Sequence, residues 1–172
     1  MQPLTPTAIA RARSDKALQA RLGQELTRLI GPGPASTGLS RFVARLRSLP
    51  PGLRAMAATY ELDVSMALDD LAQHFVNWHH LALSRETFSG LRVLGAHDEA
   101  EVFHEALLMV LPYWKDLRSG APARGTPLYT QLRPLNFRLW NLLGYQGDSG
   151  RSLLALWAPY ARAHPGSVCA RT

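Results

Sequence analysis

Nine apolar residues, Leu53, Met56, Tyr60, Val64, Ala67, Leu71, Phe75, Trp78 and Ala82, follow one another at spacings of three and four. At 100° per residue they stay on one face of an α-helix for about eight turns. An extended strand turns its side chains to alternate faces and keeps no such period. The stripe predicts one long helix over 52–82, or two in register with a break near Asp63–Ser65, with Phe75 and Trp78 buried. Leu62, Met66 and Val76 add apolar surface off the stripe. A helix apolar on more than one side belongs at the centre of a fold.

The same periodicity recurs on either side. Leu18, Leu22, Leu26 and Leu29 predict a helix over 15–30 with Ser14 as its N-cap, stopped by Gly31-Pro32-Gly33-Pro34. Leu39, Phe42, Val43 and Leu46 mark a short helix over 39–48, closed by Pro50-Pro51. Ser84 is read as the cap of a helix that ends before Gly95, with Glu86 in its first turn. Asp98 and Glu101 have the spacing of a capping box for a helix carrying Phe103, Leu107, Val110 and Leu111, which Pro112 kinks or ends. After a loop over 119–125, Thr126-Pro127 has the form of an N-cap and first helical residue. Leu128, Leu132, Leu135, Leu139 and Leu142 then make a stripe, with a kink at Pro134 and an end at Gly144. A last helix covers 150–163, and a disordered tail is expected from Pro165. No alternating Val/Ile/Thr run and no Asn-Gly turn suggests a strand.

At 172 residues the chain suits one domain with a core of its own. Its one cysteine, Cys169, admits no disulfide within the chain and suits a reducing compartment. The first residues hold no apolar signal segment, and no run approaches the ~20 apolar residues of a membrane span. The expectation is a cytoplasmic protein. Charge is segregated: 1–60 carries a net +7, 61–116 a net −7 and 117–172 a net +6. The acidic middle and basic flanks either neutralise each other in the fold or steer a charged partner.

Motifs of chemistry are incomplete. Glu101-x-x-His104 has the spacing of a di-iron helix, but that centre needs a second such pair and two further Glu. Trp78-His79-His80 points its imidazoles 100° apart, and no His-Glu-x-x-His occurs. Neither a nucleophile elbow nor a glycine-rich phosphate loop is present. No metal and no cofactor is therefore expected. Arg41, Arg45, Arg47 and Arg54 make a basic patch with only Phe42 interleaved, a weak nucleic-acid signal. Asp63, Asp70, His74 and Asn77 form a polar stripe beside the apolar stripe, and polar groups so placed require partners. Those partners are a ligand, another protein or the backbone of a neighbouring helix.

Tyr60-Glu61-Leu62-Asp63, Leu71-Ala72-Gln73-His74-Phe75-Val76-Asn77, Thr87-Phe88-Ser89-Gly90-Leu91-Arg92-Val93-Leu94-Gly95-Ala96 and Ala100-Glu101-Val102-Phe103 together resemble a bacterial helical family named for a DNA-mimic protein. The resemblance covers about 55–115. It implies a protein whose clustered carboxylates attract a DNA-binding protein. Where the family carries Asn-Gly-Gly, this chain has Met66-Ala67-Leu68-Asp69, which favours an uninterrupted helix. The net charge of +6 argues against mimicry by the whole molecule but leaves an acidic face open.

These readings converge on an all-α, single-domain bundle of six or seven helices around one long central helix. The expected function is non-enzymatic: binding, with inhibition as one outcome, of a basic protein through Asp69, Asp70, Glu101 and Glu105. An immunity protein and a regulator of a DNA-binding protein both fit. The rivals are an enzyme or ligand-binding protein built on Asp63, Asp70, His74 and Asn77, and a nucleic-acid binder using the arginine flanks.

Overall fold

A computed structural model describes residues 3–31, 33, 38–118, 127–145 and 152–169. The regular structure of the described residues is helical throughout. Six helices run nine residues or longer: α2 (Asp15–Ile30), α3 (Leu39–Arg47), α4 (Pro51–Leu68), α6 (Leu81–Val93), α7 (His97–Val110) and α9 (Pro127–Leu143). Shorter pieces join them: α1 (Pro6–Ala10), α5 (Leu71–Asn77), α8 (Trp114–Arg118) and α10 (Trp157–Ala163). Turns of 3-10 helix stand at Leu111–Tyr113, Leu153–Leu156 and Pro165–Ser167. No described helix is long and apolar enough to cross a membrane.

Locally encoded ends match the expectation. Ser14 takes an extended conformation and its hydroxyl accepts from the Ala17 amide at 3.2 Å. Gly31, Gly95 and Gly144 stand just past α2, α6 and α9 with φ of 74°, 80° and 70°, a region that side chains disfavour. Past Gly95, the Ala96 amide donates back to the Leu91 carbonyl at 2.9 Å. Pro112 ends α7 and the chain tightens into a 3-10 turn. Pro134 is held within α9. The 119–125 loop, the Thr126 cap, Pro32 and Pro34 lie outside the described residues.

The long central helix is in fact three helices. The chain breaks at Asp69–Asp70, beyond the Asp63–Ser65 position, and again at Trp78–His80. Asp70 adopts φ −152° and ψ 178° and accepts from the Gln73 amide at 2.8 Å, so it starts a new helix as its N-cap. The Leu71 amide, a second orphan donor of that first turn, donates to Asn136 Oδ1 of α9 at 3.0 Å. The buried face also differs from the stripe. Leu62 and Met66 are almost fully buried, whereas Tyr60 is 42% exposed.

Small residues explain this. Ala55, Ala57, Ala58 and Thr59 let neighbours approach α4 on several sides, and it touches α2, α3, α5, α6, α10 and both C-terminal 3-10 turns. It comes close to the backbone of α6: a Cβ built on Gly90 would stand 2.9 Å from the Ala55 carbonyl oxygen and 3.2 Å from the Ala55 Cα. The buried apolar residues among those described belong to one contiguous core.

Three further expectations are corrected. Ser84 is a buried residue inside α6, which begins at Leu81. Asp98 caps nothing, because α7 already starts at His97 and no side chain caps it. The tail expected from Pro165 is packed as far as Cys169: Val168 is fully buried, and its Cγ1 would lie 2.7 Å from a Cβ on Gly52.

The α4–α6 contact generates a paired prediction. Replacing Gly90 with Ala should destabilise the protein by about 1–3 kcal/mol, because backbone, which cannot rotate away, receives the methyl group. Replacing Gly23 with Ala, where a Cβ meets nothing within 4 Å, should stabilise α2 by about 0.5–1 kcal/mol. Urea midpoints of the two variants moving in the same direction would contradict the packing.

Candidate functional site

The polar stripe read from the sequence is divided among separate partners, and most of it is engaged in holding the fold. Asp63 is buried; its carboxylate accepts from the Leu153 amide at 2.6 Å and the Ser152 hydroxyl at 3.0 Å. It thus pins the C-terminal segment to α4. Burial raises its pKa, against the lowering effect of those bonds. Asp70 is buried as the N-cap of α5. Asn77 is exposed and accepts from Gln73 Nε2 at 2.7 Å, separate from the other three.

His74 and Ser65 stand 3.0 Å apart in the core, a spacing that suggests a nucleophile and its base. Hydrogen-bond accounting excludes that role. The Ser65 hydroxyl donates its single proton to the Glu61 carbonyl at 2.7 Å and accepts from Trp78 Nε1 at 3.2 Å. His74 Nδ1 must then carry the proton and donate to Ser65. Burial pushes the imidazole down to about 3, so it is neutral. Its ring packs edge-on against Phe75 and Phe103.

The acidic segment is divided rather than gathered. Asp70 is buried, and Asp69, at the α4–α5 junction, is half-buried. Glu105 pairs with Arg138 of α9 at 2.9 Å. Glu101 and Asp98 are exposed on the first turns of α7 and line a shallow groove with Arg138 and Asn141. Glu86, which the sequence suggested for a helix start, is buried and receives both Arg47, at 2.9 Å, and Arg54, at 2.6 Å. Arg45 donates to the Ile30 carbonyl at 3.0 Å. Of the basic patch, only Arg41 forms no ion pair or hydrogen bond within the described structure. No group of three or more metal-ligating side chains occurs among the described residues, and His104 instead stacks on Phe88 at 4.8 Å.

A different site emerges between α2, α4 and the C-terminal helix. A groove of ≈ 1000 Å³ opens there. Leu26 and Ile30 of α2, Phe42 of α3 and Ala57 of α4 give it apolar walls, closed by Leu154 and Ala158. Its polar lining comes from Asp15, Lys16, Gln19 and Thr27 of α2 and from Tyr60 and Glu61 of α4, with Trp157 beside them. Glu61 is 8% exposed and no described cation lies within ion-pairing distance of it. Burial alone pushes its carboxyl up to about 7. Its Oε1 reaches toward Gly33, where an added Cβ would stand 3.0 Å away. Trp157 is 2% exposed, and its Nε1 is buried with no hydrogen-bond partner among the described residues. The Tyr60 ring lies 6.2 Å from the Trp157 ring at 51°.

The sequence reading passed over Glu61. Its signal is local: a carboxylate with Ala57, Ala58 and Ser65 one turn away, on a helix apolar around most of its circumference. Small neighbours on the inner face of a helix leave a volume, and a carboxylate there loses water. Comparison with protein-family models, with curated proteins and with solved structures finds no match.

His74 and Glu61 act on stability in opposite directions. His74, depressed to about 3, contributes stability that is present above its ordinary 6.5 and lost as pH falls toward 3. Glu61, raised to about 7, contributes stability present below its ordinary 4.5 and lost as pH rises through 7. Relative to the parent, His74→Gln should be penalised most at neutral pH and regain ground as the pH drops. Glu61→Gln should gain most above pH 7. Urea midpoints across that range check both, and a pH-independent gap for either variant would contradict its burial.

Proposed function

We propose that this chain binds an apolar small molecule in the groove between α2, α4 and the C-terminal helix. One observation carries the reading: a groove of ≈ 1000 Å³ walled by apolar side chains is also lined by a buried carboxyl without a cation and an indole whose buried N–H has no partner among the described residues. A buried polar group left unpaired costs roughly 1–3 kcal/mol, and native folds rarely keep one without cause. Ligand sites combine an apolar wall with a few polar groups, in volumes of roughly 300–1000 Å³. Binding is favoured over catalysis by the other candidates: Asp63, Asp70 and His74 are engaged in caps, pins and core packing.

Gly23 offers a clean test, since it lines the groove and has open space where a side chain would go. The neutral fluorophore N-phenyl-naphthylamine should bind the parent with a rise in emission. Gly23→Phe should weaken that binding by about tenfold or more, the equivalent of ~1.4 kcal/mol, while melting no lower than the parent. Equal binding by a folded Gly23→Phe protein would remove the groove as the site.

A second reading keeps the protein partner expected from the acidic segment. It is supported by α7 and the 3-10 turn after it, where exposed Asp98 and Glu101 are followed by Leu108, Met109 and Leu111, 55%, 36% and 38% exposed. An apolar patch with a charged rim suits a protein interface. Asp69 and Glu105 flank this reading, and Asp70, buried as a cap, does not serve it. Asp98→Asn with Glu101→Gln should slow association with a basic protein at low salt and leave it unchanged near 1 M salt, where the Debye length is ~3 Å. Association unaffected at low salt would discard this face.

A further inference from the structure

We infer that the ligand of the groove is an apolar molecule carrying a cationic ammonium group, seated against Glu61 with its hydrocarbon along Leu26, Ile30 and Ala57. The inference rests on the small-molecule reading above and names the ligand's charge.

Three observations converge on a cation. First, the buried Glu61 carboxyl lines the groove with no described cation in reach. A carboxylate in such a place is stabilised by the opposite charge, and the low dielectric around it strengthens that attraction. Second, Tyr60 and Trp157 line the same groove as a tilted aromatic pair. Aromatic faces attract ammonium groups, and quaternary ammonium most of all when it sheds little water. Third, three arginines near the groove are engaged elsewhere. Arg28 pairs with Glu25 at 2.6 Å, Arg45 holds the Ile30 carbonyl, and Arg162 holds Asp15 and the carbonyls of Ile9 and Ala12. Lys16, exposed at the rim, is the one basic side chain in the described lining. In the described lining an anionic ligand has that lysine to meet it and Asp15 and Glu61 to repel it.

The titratable groups facing the groove are Asp15, Lys16, Tyr60 and Glu61, and no histidine lines it among the described residues. Burial raises the Glu61 carboxyl to about 7, so it changes charge near neutrality. Ionised Glu61 holds the cation, so affinity rises as pH rises through 7. A permanently charged ligand isolates this effect, since it takes no part in the titration.

The test is a set of probes sharing one hydrocarbon chain below their micellar concentrations: decyltrimethylammonium, decanol and decanoate. Each displaces N-phenyl-naphthylamine from the parent protein. Decyltrimethylammonium should displace at about tenfold lower concentration than decanol, and decanoate should be weakest. The chain's net charge of +6 works against this order, so non-specific attraction to the surface would favour decanoate. From about pH 6 to about pH 8 the ammonium probe should tighten and decanol stay constant. In Glu61→Gln, checked for unchanged helicity, the ammonium preference and its pH dependence should both vanish while decanol binding persists. Equal displacement by the ammonium probe and decanol, or an ammonium preference that survives in Glu61→Gln, overturns the charge assignment and leaves the groove standing. Absence of fluorophore binding to the parent overturns the groove reading and this inference with it.

Discussion

Burial of α4 around most of its circumference is the constraint from which the rest of the structure follows. A helix in that position has no water to satisfy its polar side chains, so each must find a partner inside the protein. Thr59 bonds the Ala55 and Met56 carbonyls of its own helix, and Ser65 bonds that of Glu61. Asp63 reaches further, to Ser152 and the Leu153 amide, and so draws the C-terminal segment onto the central helix. The packing of α10, the seating of Val168 and the closure of the groove all depend on that segment being held there. Glu61, like Asp63, meets no cation within ion-pairing distance among the described residues, and it is the one of the two that lines the groove.

The charge segregation along the chain is resolved by the same packing. Basic residues of the first third meet the acidic middle where Arg47 and Arg54 converge on buried Glu86, and the last third meets it where Arg138 pairs with Glu105. The Glu86 cluster links α3, α4 and α6, next to the close contact at Gly90. Removing one partner of a buried ion pair is costly because the remaining charge stays out of water. These pairs thus serve folding, and Asp98 and Glu101 are exposed carboxylates of the acidic segment that enter none of them.

The groove sits where the two halves of this construction meet. α2 packs on α4, and α10 packs on both. Gly23, Ala57 and Ala158 keep the space between them open, while Leu26, Ile30 and Phe42 make it apolar. A core this size ordinarily closes such a volume with larger side chains, since unfilled space forfeits dispersion contacts. Small residues around a buried acid therefore read as a site shaped for an occupant, and the proposed ammonium ligand supplies both the volume and the charge that the chain omits.

The sequence by itself determined what depends on a few neighbouring residues. Periodic leucines set α2, α3 and α9, Ser14 set one start, and Gly31, Gly95 and Gly144 set three ends, because capping and left-handed backbone are local properties. The demand that Asp63, Asp70 and His74 have partners was legible too. Which partners they found was decided by the tertiary structure: Leu153 lies ninety residues from Asp63, and Asn136, which completes the start of α5, lies sixty-five from Leu71. That distant amide side chain helps to favour a break at Asp69–Asp70 over the continuous helix that the apolar stripe predicts. The groove was illegible for the same reason. Burial raises Glu61 toward neutrality, and burial is a property of the surroundings that α2 and α10 bring from opposite ends of the chain.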